Sequence, residues 1–447
     1  MWILHSQPPP PVHHTNDTLK LVFTITTDLG DSFLNPEQPL PISVHASDLE
    51  QESPNWTKYT VKIDDGSVKW RSGLRVLKID LQLPVQISRK LRAAQEDNSS
   101  PSIRISASRN SSALPNIAEI PFDTQGRILG LSVPLPRPGK EACFTATREL
   151  LMSFEGANAT LRIDEEIGES IDRHVWDAGI VTTGLIFDMY KAPSKATWTK
   201  TPLLRSILGS ATSERPLHVI ELGCGVGILG IGLATALSAE FQTKALDASP
   251  EEAEYISASN GTLDNSGGAV AELPEVGSIL LTDLPDAEEL TRRNILRYSE
   301  GQQTLGPEIA SLDFESLDWE DGKNGIFGPK ANATGWDLII ISDCTYNVDM
   351  LSALVETLSR LHSSSMALAK TEPKVMLATK PRHPSEKALF DLMAASGWEQ
   401  LESANQPLPS IGLEDESVEI YLFGKAPEKG SDGGHISSLP AKRRRLG

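Results

Sequence analysis

The feature that most constrains this chain lies at residues 221–230, Glu-Leu-Gly-Cys-Gly-Val-Gly-Ile-Leu-Gly. An apolar run, Leu217-His218-Val219-Ile220-Glu221-Leu222, leads into it, and a stretch rich in Ile, Leu and Ala leaves it to about Leu237. That pattern reads as strand, sharp turn, helix. The glycines have two mechanical uses: the chain must reverse direction, and backbone without Cβ atoms admits a ligand closely. In an open α/β sheet such a turn sits at the carboxyl edge, beside a helix N-terminus, where ligands bind.

The surroundings agree with a strand–helix alternation. From about residue 141 there is a hairpin-like stretch, Thr160–Glu165, then a helix candidate, Trp176–Tyr190. Further strands are expected at Gly277–Thr282, Trp336–Ser342, Lys374–Thr379 and Ser417–Phe423, with helices between them. This implies a mostly parallel sheet covered by helices. The first part differs. Leu19–Thr26, Tyr59–Ile63, Val76–Leu83 and Ser102–Ser106 read as strands, most with apolar and polar residues alternating, and no long helical period precedes residue 140. A small antiparallel sheet or sandwich is expected there. The change falls at a linker, Pro134–Gly139. The resulting organisation is a β-rich domain at 1–140, an α/β domain at 141–425 and a flexible tail at 426–447. Leu237–Pro274 and Gly301–Pro307 read as insertions. The tail ends Lys442-Arg443-Arg444-Arg445, either a nuclear-import signal or a solvated basic end.

Composition excludes several classes. At 39% hydrophobic and 23% charged residues over 447 positions, wholesale disorder is out. The net charge of −19 makes a poor generic nucleic-acid binder and suits neutral or basic partners. No apolar stretch is long enough to span a bilayer. Cys143, Cys224 and Cys344 lie far apart, without metal-ligand spacing, so neither a zinc site nor a disulfide framework is expected. The start lacks the basic and apolar regions of a secretory signal. The triplets at Asn55 and Asn332 then read as chance glycosylation matches, and cytosol or nucleus is the expected compartment. The sequence is silent on oligomeric state.

Which ligand the turn serves has two main answers. Gly225-Val226-Gly227-Ile228-Leu229-Gly230 is a literal GxGxxG, and Asp247 lies 20 residues beyond Gly227, as in a dinucleotide-dependent oxidoreductase. Alternatively, Glu221 at the strand end pairs with an ammonium group, which S-adenosylmethionine carries and NAD does not. A purely structural turn is the third reading. The strand Ile279–Leu281 runs into Thr282-Asp283, and Asp283 is placed to accept both hydroxyls of a ribose. Asp247 is its rival, but the preceding Glu240–Thr243 is a poorer strand. Trp319 either walls an adenine or packs ordinarily. The apolar run 337–342 delivers Asp343-Cys344-Thr345-Tyr346 to the same sheet edge. Lys380-Pro381-Arg382-His383, after the next strand, lines a channel there or, the favoured reading, forms a solvated loop.

Taken in order, these pieces resemble the seven-β-strand, non-SET protein-lysine methyltransferases that carry a DxxY motif, in a fungal-type form with an added N-terminal domain. The markers are residues 173–179 (Arg-His-Val-Trp-Asp-Ala-Gly), 221–227, Leu281–Pro285 with Asn294, Leu317-Asp318-Trp319, and Asp343 with Tyr346. The resemblance covers about 145–424. It implies a Rossmann-like, seven-stranded class I methyltransferase sheet after a smaller β-rich domain, S-adenosylmethionine as cofactor, and a lysine-bearing protein as substrate. It implies cofactor contacts from Trp176, Gly223, Cys224, Gly225, Asp283, Trp319 and Ser342. Asp343 and Tyr346 would face the substrate amine, Asp343 aiming it by hydrogen bond. An acid capping the strand beside a packed tyrosine is the plainer alternative. The match departs from the family in the 56 residues between Gly227 and Asp283, and in Ser342 where alanine is more usual. A non-catalytic module of the same fold, and histidine, amino-terminal or small-molecule acceptors, stay open at this point.

Overall fold

The computed structural model describes residues 2–6, 17–47, 61–62, 68–93, 101–107, 114–123, 126–136, 144–154, 157–167, 173–191, 200–211, 215–247, 277–302, 310–409 and 416–426. Cys143, Asn55, most of the two expected insertions and the basic tail lie outside them.

The first part is built of short strands: β1 (Trp2–Ser6), β2 (Thr18–Thr26), β3 (Leu40–Ser47), β4 (Val61–Lys62), β5 (Lys69–Trp70), β6 (Leu77–Gln82), β7 (Ser102–Ala107), β8 (Ile128–Leu129) and β9 (Leu131–Pro134). A short helix, α1 (Val85–Ala93), interrupts them. One sheet runs β6-β2-β1-β8. The alternation does what it should. Leu19, Leu21, Phe23 and Ile25 of β2 and Ile42, Val44 and Ala46 of β3 are buried in one shared core. The hairpin β10 (Thr145–Phe154) and β11 (Ala157–Glu166) extends the second sheet, of order β11-β10-β9-β7-β3-β4, pairing Thr147 with Ser132 of β9. The hairpin's partner strand thus comes from before the Pro134–Gly139 linker.

The third sheet comprises β12 (Leu217–Leu222), β13 (Gly277–Asp283), β14 (Ala310–Ser316), β15 (Leu338–Ser342), β16 (Lys374–Thr379), β17 (Trp398–Pro407) and β18 (Ser417–Lys425). Its order is β14-β13-β12-β15-β16-β18-β17. β12 to β16 are parallel, and β18 runs antiparallel to β16 and β17. Helices α2 (Asp177–Lys191), α3 (Pro202–Leu208), α4 (Ile228–Asp247), α5 (Glu288–Gln302), α6 (Trp319–Gly322), α7 (Leu351–Ala369) and α8 (Ala388–Ala395) surround it.

Central strands are buried on both faces, so they read as continuous apolar runs. Val219, Ile279, Leu281 and Ile340 face α2 and α4, whereas Ile220, Leu280, Ile339 and Ile341 face α7 and α8. Ile117, Ala118 and Ile120, from a 3-10 turn at Ile117–Phe122, join the first of these cores. β14 and β17, for which the sequence offered no range, are the two sheet edges. Exposed positions interrupt their apolar pattern. Glu240–Thr243, weighed as a strand above, lies within α4. Among the described residues no helix is long and apolar enough to cross a membrane.

Candidate active site

From β12 the chain crosses over to β13 on one side, and it later returns to β15 on the other. The strand order reverses at that point, which is where an open α/β sheet leaves a crevice beyond its carboxyl ends. The turn after β12 fills one wall of it. Gly223, Gly225 and Gly227 have φ of +65°, +53° and +81°. At Gly223 space is the second constraint: a Cβ would stand 2.5 Å from the Cys344 Sγ and 3.2 Å from the Trp319 ring.

The turn is pinned from several sides. The Cys224 N–H donates to Thr282 O (3.0 Å) and the Gly225 N–H to Asp283 Oδ2 (2.7 Å). Thr291 Oγ1 donates to Gly225 O (2.7 Å) and Asn294 Nδ2 to Val226 O (2.9 Å). Asn294 also exchanges hydrogen bonds with the Asp164 backbone on β11 (2.8 and 3.0 Å).

A cavity of about 400 Å³ opens above this turn. Trp176, Glu221, Gly223, Cys224, Gly225, Asp283, Trp319, Ser342, Asp343 and Tyr346 all line it, so the structure brings together the site residues of the methyltransferase reading, whereas Gly227, Gly230 and Asp247 of the dinucleotide reading are not among them. His174, Asp318 and Glu320 join them, and among the described residues no lysine or arginine lines it. The volume falls within the range of small-molecule cofactor sites, roughly 300–1,000 Å³.

The walls carry an excess of carboxylates. Glu221 is buried at the end of β12 and accepts the Gly230 N–H through Oε2 (2.9 Å). Burial pushes its carboxyl up to about 8, against the pull of that N–H, and the nearby Asp283 charge adds to the rise. Asp283 accepts from Gly225 and, through Oδ1, from the Leu284 N–H (2.7 Å). The Ser342 hydroxyl is buried and has no hydrogen-bond partner among the described residues.

A cationic ligand with hydroxyls fits this donor set. It would hold Glu221 in its ionised form and give Ser342 a partner. A pyrophosphate would meet acids and, among the described lining residues, no lysine or arginine. Asp247, the dinucleotide reading's ribose acid, ends helix α4 instead of following a strand. Both observations count against the oxidoreductase reading.

Asp343 follows β15 with φ +52°, a left-handed conformation uncommon outside glycine. Its side chain is buried and heavily engaged. Oδ2 accepts the Ala178 N–H (2.8 Å), and Oδ1 accepts the Lys380 N–H (3.1 Å) and Arg382 Nη1 (2.8 Å). Burial raises its carboxyl above the usual range, with Arg382 opposing the rise. Tyr346 is 55% exposed at the cavity mouth.

Within Lys380–His383 the solvated-loop reading holds for Pro381 and His383, which are exposed, and the structure corrects it for the other two residues. Lys380 is 4% exposed, with its ammonium between Asp28 (3.1 Å), Asp177 (2.9 Å) and Glu416 (3.2 Å). Arg382 lies over the Trp176 ring at 5.1 Å. Two basic residues in a polar loop carry no local sign of burial. Their partners are up to 354 positions away in sequence, so no short motif could have revealed them.

A family model described as lysine methyltransferase matches residues 155–258 and 266–396, just over half of the chain. The chain belongs to the lysine methyltransferase family. Its sheet is accordingly the class I methyltransferase sheet, and its activity is S-adenosylmethionine-dependent methyl transfer. A UPF0665 family protein of Schizosaccharomyces pombe is 24% identical over 385 residues, covering 85% of this chain and 88% of that protein.

Matches to solved structures are of low identity and low TM-score. An O-methyltransferase family protein from Burkholderia thailandensis matches at 10% identity and a TM-score of 0.27, over 56% of this chain and 61% of that one. TrmN from Thermus thermophilus matches at 13% and 0.28, over 63% and 60%. A precorrin-6y C5,15-methyltransferase from Geobacter metallireducens matches at 12% and 0.27, over 52% and 92%.

For a lysine methyltransferase family member the cofactor's chemistry is an electrophilic methyl on a sulfonium centre. The chain's part is to hold, orient and keep water out.

Proposed function

We propose that the chain methylates the side-chain amine of a lysine in a protein, with Asp343 and Tyr346 receiving the amine and the acids around the glycine turn holding the cofactor. The observation that carries this reading is the composition of the cavity: acids at the glycine turn, a Ser342 hydroxyl without a partner among the described residues, and Asp343 and Tyr346 lining the same cavity. In this reading Asp283 holds the ribose, Trp319 borders the adenine, and Glu221 answers the ammonium of the methionine half.

A lysine amine must be neutral to attack. Its ordinary pKa of about 10.4 puts deprotonation near pH 7 at roughly 4–5 kcal/mol. Entry into the cavity beside the cofactor's positive sulfur would lower that cost, because both desolvation and like charge disfavour ammonium. Asp343 acts the other way, so its role is to aim the amine, with water taking the proton. Tyr346 offers a ring face and a hydroxyl at the mouth. A chain of net charge −19 suits an acceptor lysine set in a basic surface, in cytosol or nucleus.

The test is transfer of labelled methyl into lysate from a strain lacking the gene, followed by mass spectrometry of the modified residue. Methyl on a lysine of a protein is expected. Label confined to RNA, to a small molecule or to another residue type overturns the reading.

A further inference from the structure

The active-site carboxylate Asp343 does not stand alone. Arg382 forks its guanidinium between two acids: Nη1 donates to Asp343 Oδ1 at 2.8 Å and Nη2 to Asp28 Oδ2 at 2.7 Å. The second acid comes from the tip of the β2–β3 connection, far from the methyltransferase sheet in sequence. That tip is held by the Gly30 N–H on Thr27 O and the Thr27 N–H on Ser32 O, both 3.0 Å. Asp28 Oδ1 also takes the Lys380 ammonium (3.1 Å), and Oδ2 takes the Asp177 N–H at the start of α2 (3.3 Å). Its side chain has no solvent exposure. A carboxylate buried this deeply persists only because two cations face it. Burial alone would raise its pKa, and Arg382 and Lys380 instead bring it down to about 2.

This geometry has a direct consequence for the reaction. Arg382 is ion-paired with the amine-receiving acid, and its guanidinium carbon lies 5.1 Å from the centroid of the Trp176 ring, which lines the cavity. Without Asp28 the guanidinium would be held through Nη1 alone, on Asp343 Oδ1 (2.8 Å) and the Lys380 carbonyl (3.2 Å), and its Nη2 corner would lose its carboxylate. With Asp28 both Nη corners of one rigid fork are held by carboxylates.

We propose that Asp28 is a positioning residue of the methyl-transfer site: acting through Arg382, it fixes the carboxylate of Asp343 and the face of Trp176, so that the N-terminal β unit completes the active site. The inference rests on the reading of Asp343 as the acid that meets the amine. It gives the N-terminal unit a part in catalysis beyond any part in choosing the substrate.

The test uses the full chain, with Asp28→Asn, Arg382→Gln and the double variant. Titration calorimetry with S-adenosylhomocysteine measures affinity and the fraction of folded sites. Labelled methyl transfer into the gene-deletion lysate, diluted serially as the acceptor pool, yields a saturating rate and an apparent half-saturation. For Asp28→Asn we expect about a tenfold or greater loss of saturating rate, in line with the effect of misplacing a reacting group. Ligand stoichiometry should stay unchanged and affinity should hold within about threefold. In the Arg382→Gln background the Asp28 change should cost far less rate than it does alone, since only its Lys380 and Asp177 contacts are left to lose.

A wild-type rate in folded Asp28→Asn overturns the proposal, and so do losses that simply add in the double variant. If Asp28→Asn does not fold, Arg382→Gln decides alone: folded, ligand-binding protein with wild-type turnover leaves Asp28 nothing to act through. Wild-type protein that binds S-adenosylhomocysteine but labels no lysine defeats the reading of the substrate, and this inference with it.

Discussion

Glu221 is a carboxyl that the fold holds ready for a positive charge. It sits buried at the head of the glycine turn, raised to about 8 from an ordinary 4.5 by loss of solvent. Because its folded value is the higher one, the native state binds the proton more tightly than the unfolded chain does. Glu221 therefore favours folding most below about 4.5, and that contribution is lost as pH rises through about 8. A bound ammonium reverses the preference and expels the proton. S-adenosylhomocysteine affinity should then rise with pH below about 8, by up to about tenfold per unit, and flatten above it. Calorimetry across pH in buffers of different ionisation enthalpy reads both the slope and the released proton, and Glu221→Gln should abolish the dependence. Gly223 makes a steric version of the same claim. A Cβ there meets Cys344 and Trp319 at a positive φ, so Gly223→Ala should cost about tenfold or more in ligand affinity by the same titration.

Between elements, Asn294 is the side chain that ties the ligand wall to the hairpin. Its amide spans α5, the turn after β12 and β11, with no exposed surface. Asn294→Ala would strand the Asp164 N–H and the Val226 carbonyl in a dry interior. The expected cost is about 2–4 kcal/mol in urea unfolding, with weaker ligand binding because the turn loses a support. The sequence marked this asparagine through the family resemblance alone, without a physical role. What it did reveal was local: the turn, the runs ending at Leu222, Asp283 and Ser342, and the acids beyond them. Those strands are buried on both faces, so their apolar runs are unbroken and easily seen. β17 is an edge strand with polar residues along most of its length, and its pattern resembles a loop. The ion cluster of Asp28, Lys380 and Arg382 had no signal at all, because each charge looks solvent-exposed until its distant partners arrive.

At the scale of the molecule, the boundary near residue 140 separates two compositions, whereas the packing crosses it. β10 pairs with β9, and the buried Arg148 on β10 donates to the Leu129 and Gly130 carbonyls at 3.1 Å each while pairing with Glu165. Helix α2 approaches the 3-10 turn so closely that a Cβ on Gly184 would stand 2.5 Å from Ile117 O. A piece beginning at residue 141 would keep the cavity's own residues. It would also leave an open β10 edge, a guanidinium short of two acceptors, bare apolar surface on α2, and Lys380 and Arg382 without Asp28. The expected outcome is a 141–447 fragment that does not bind S-adenosylhomocysteine and lacks a cooperative thermal transition, where the full chain shows both. Calorimetry and circular dichroism on the two proteins check it. A cooperatively folding fragment with full affinity would mean that the acids and glycines at the sheet edge assemble without the β unit, and the shared packing would then serve stability alone.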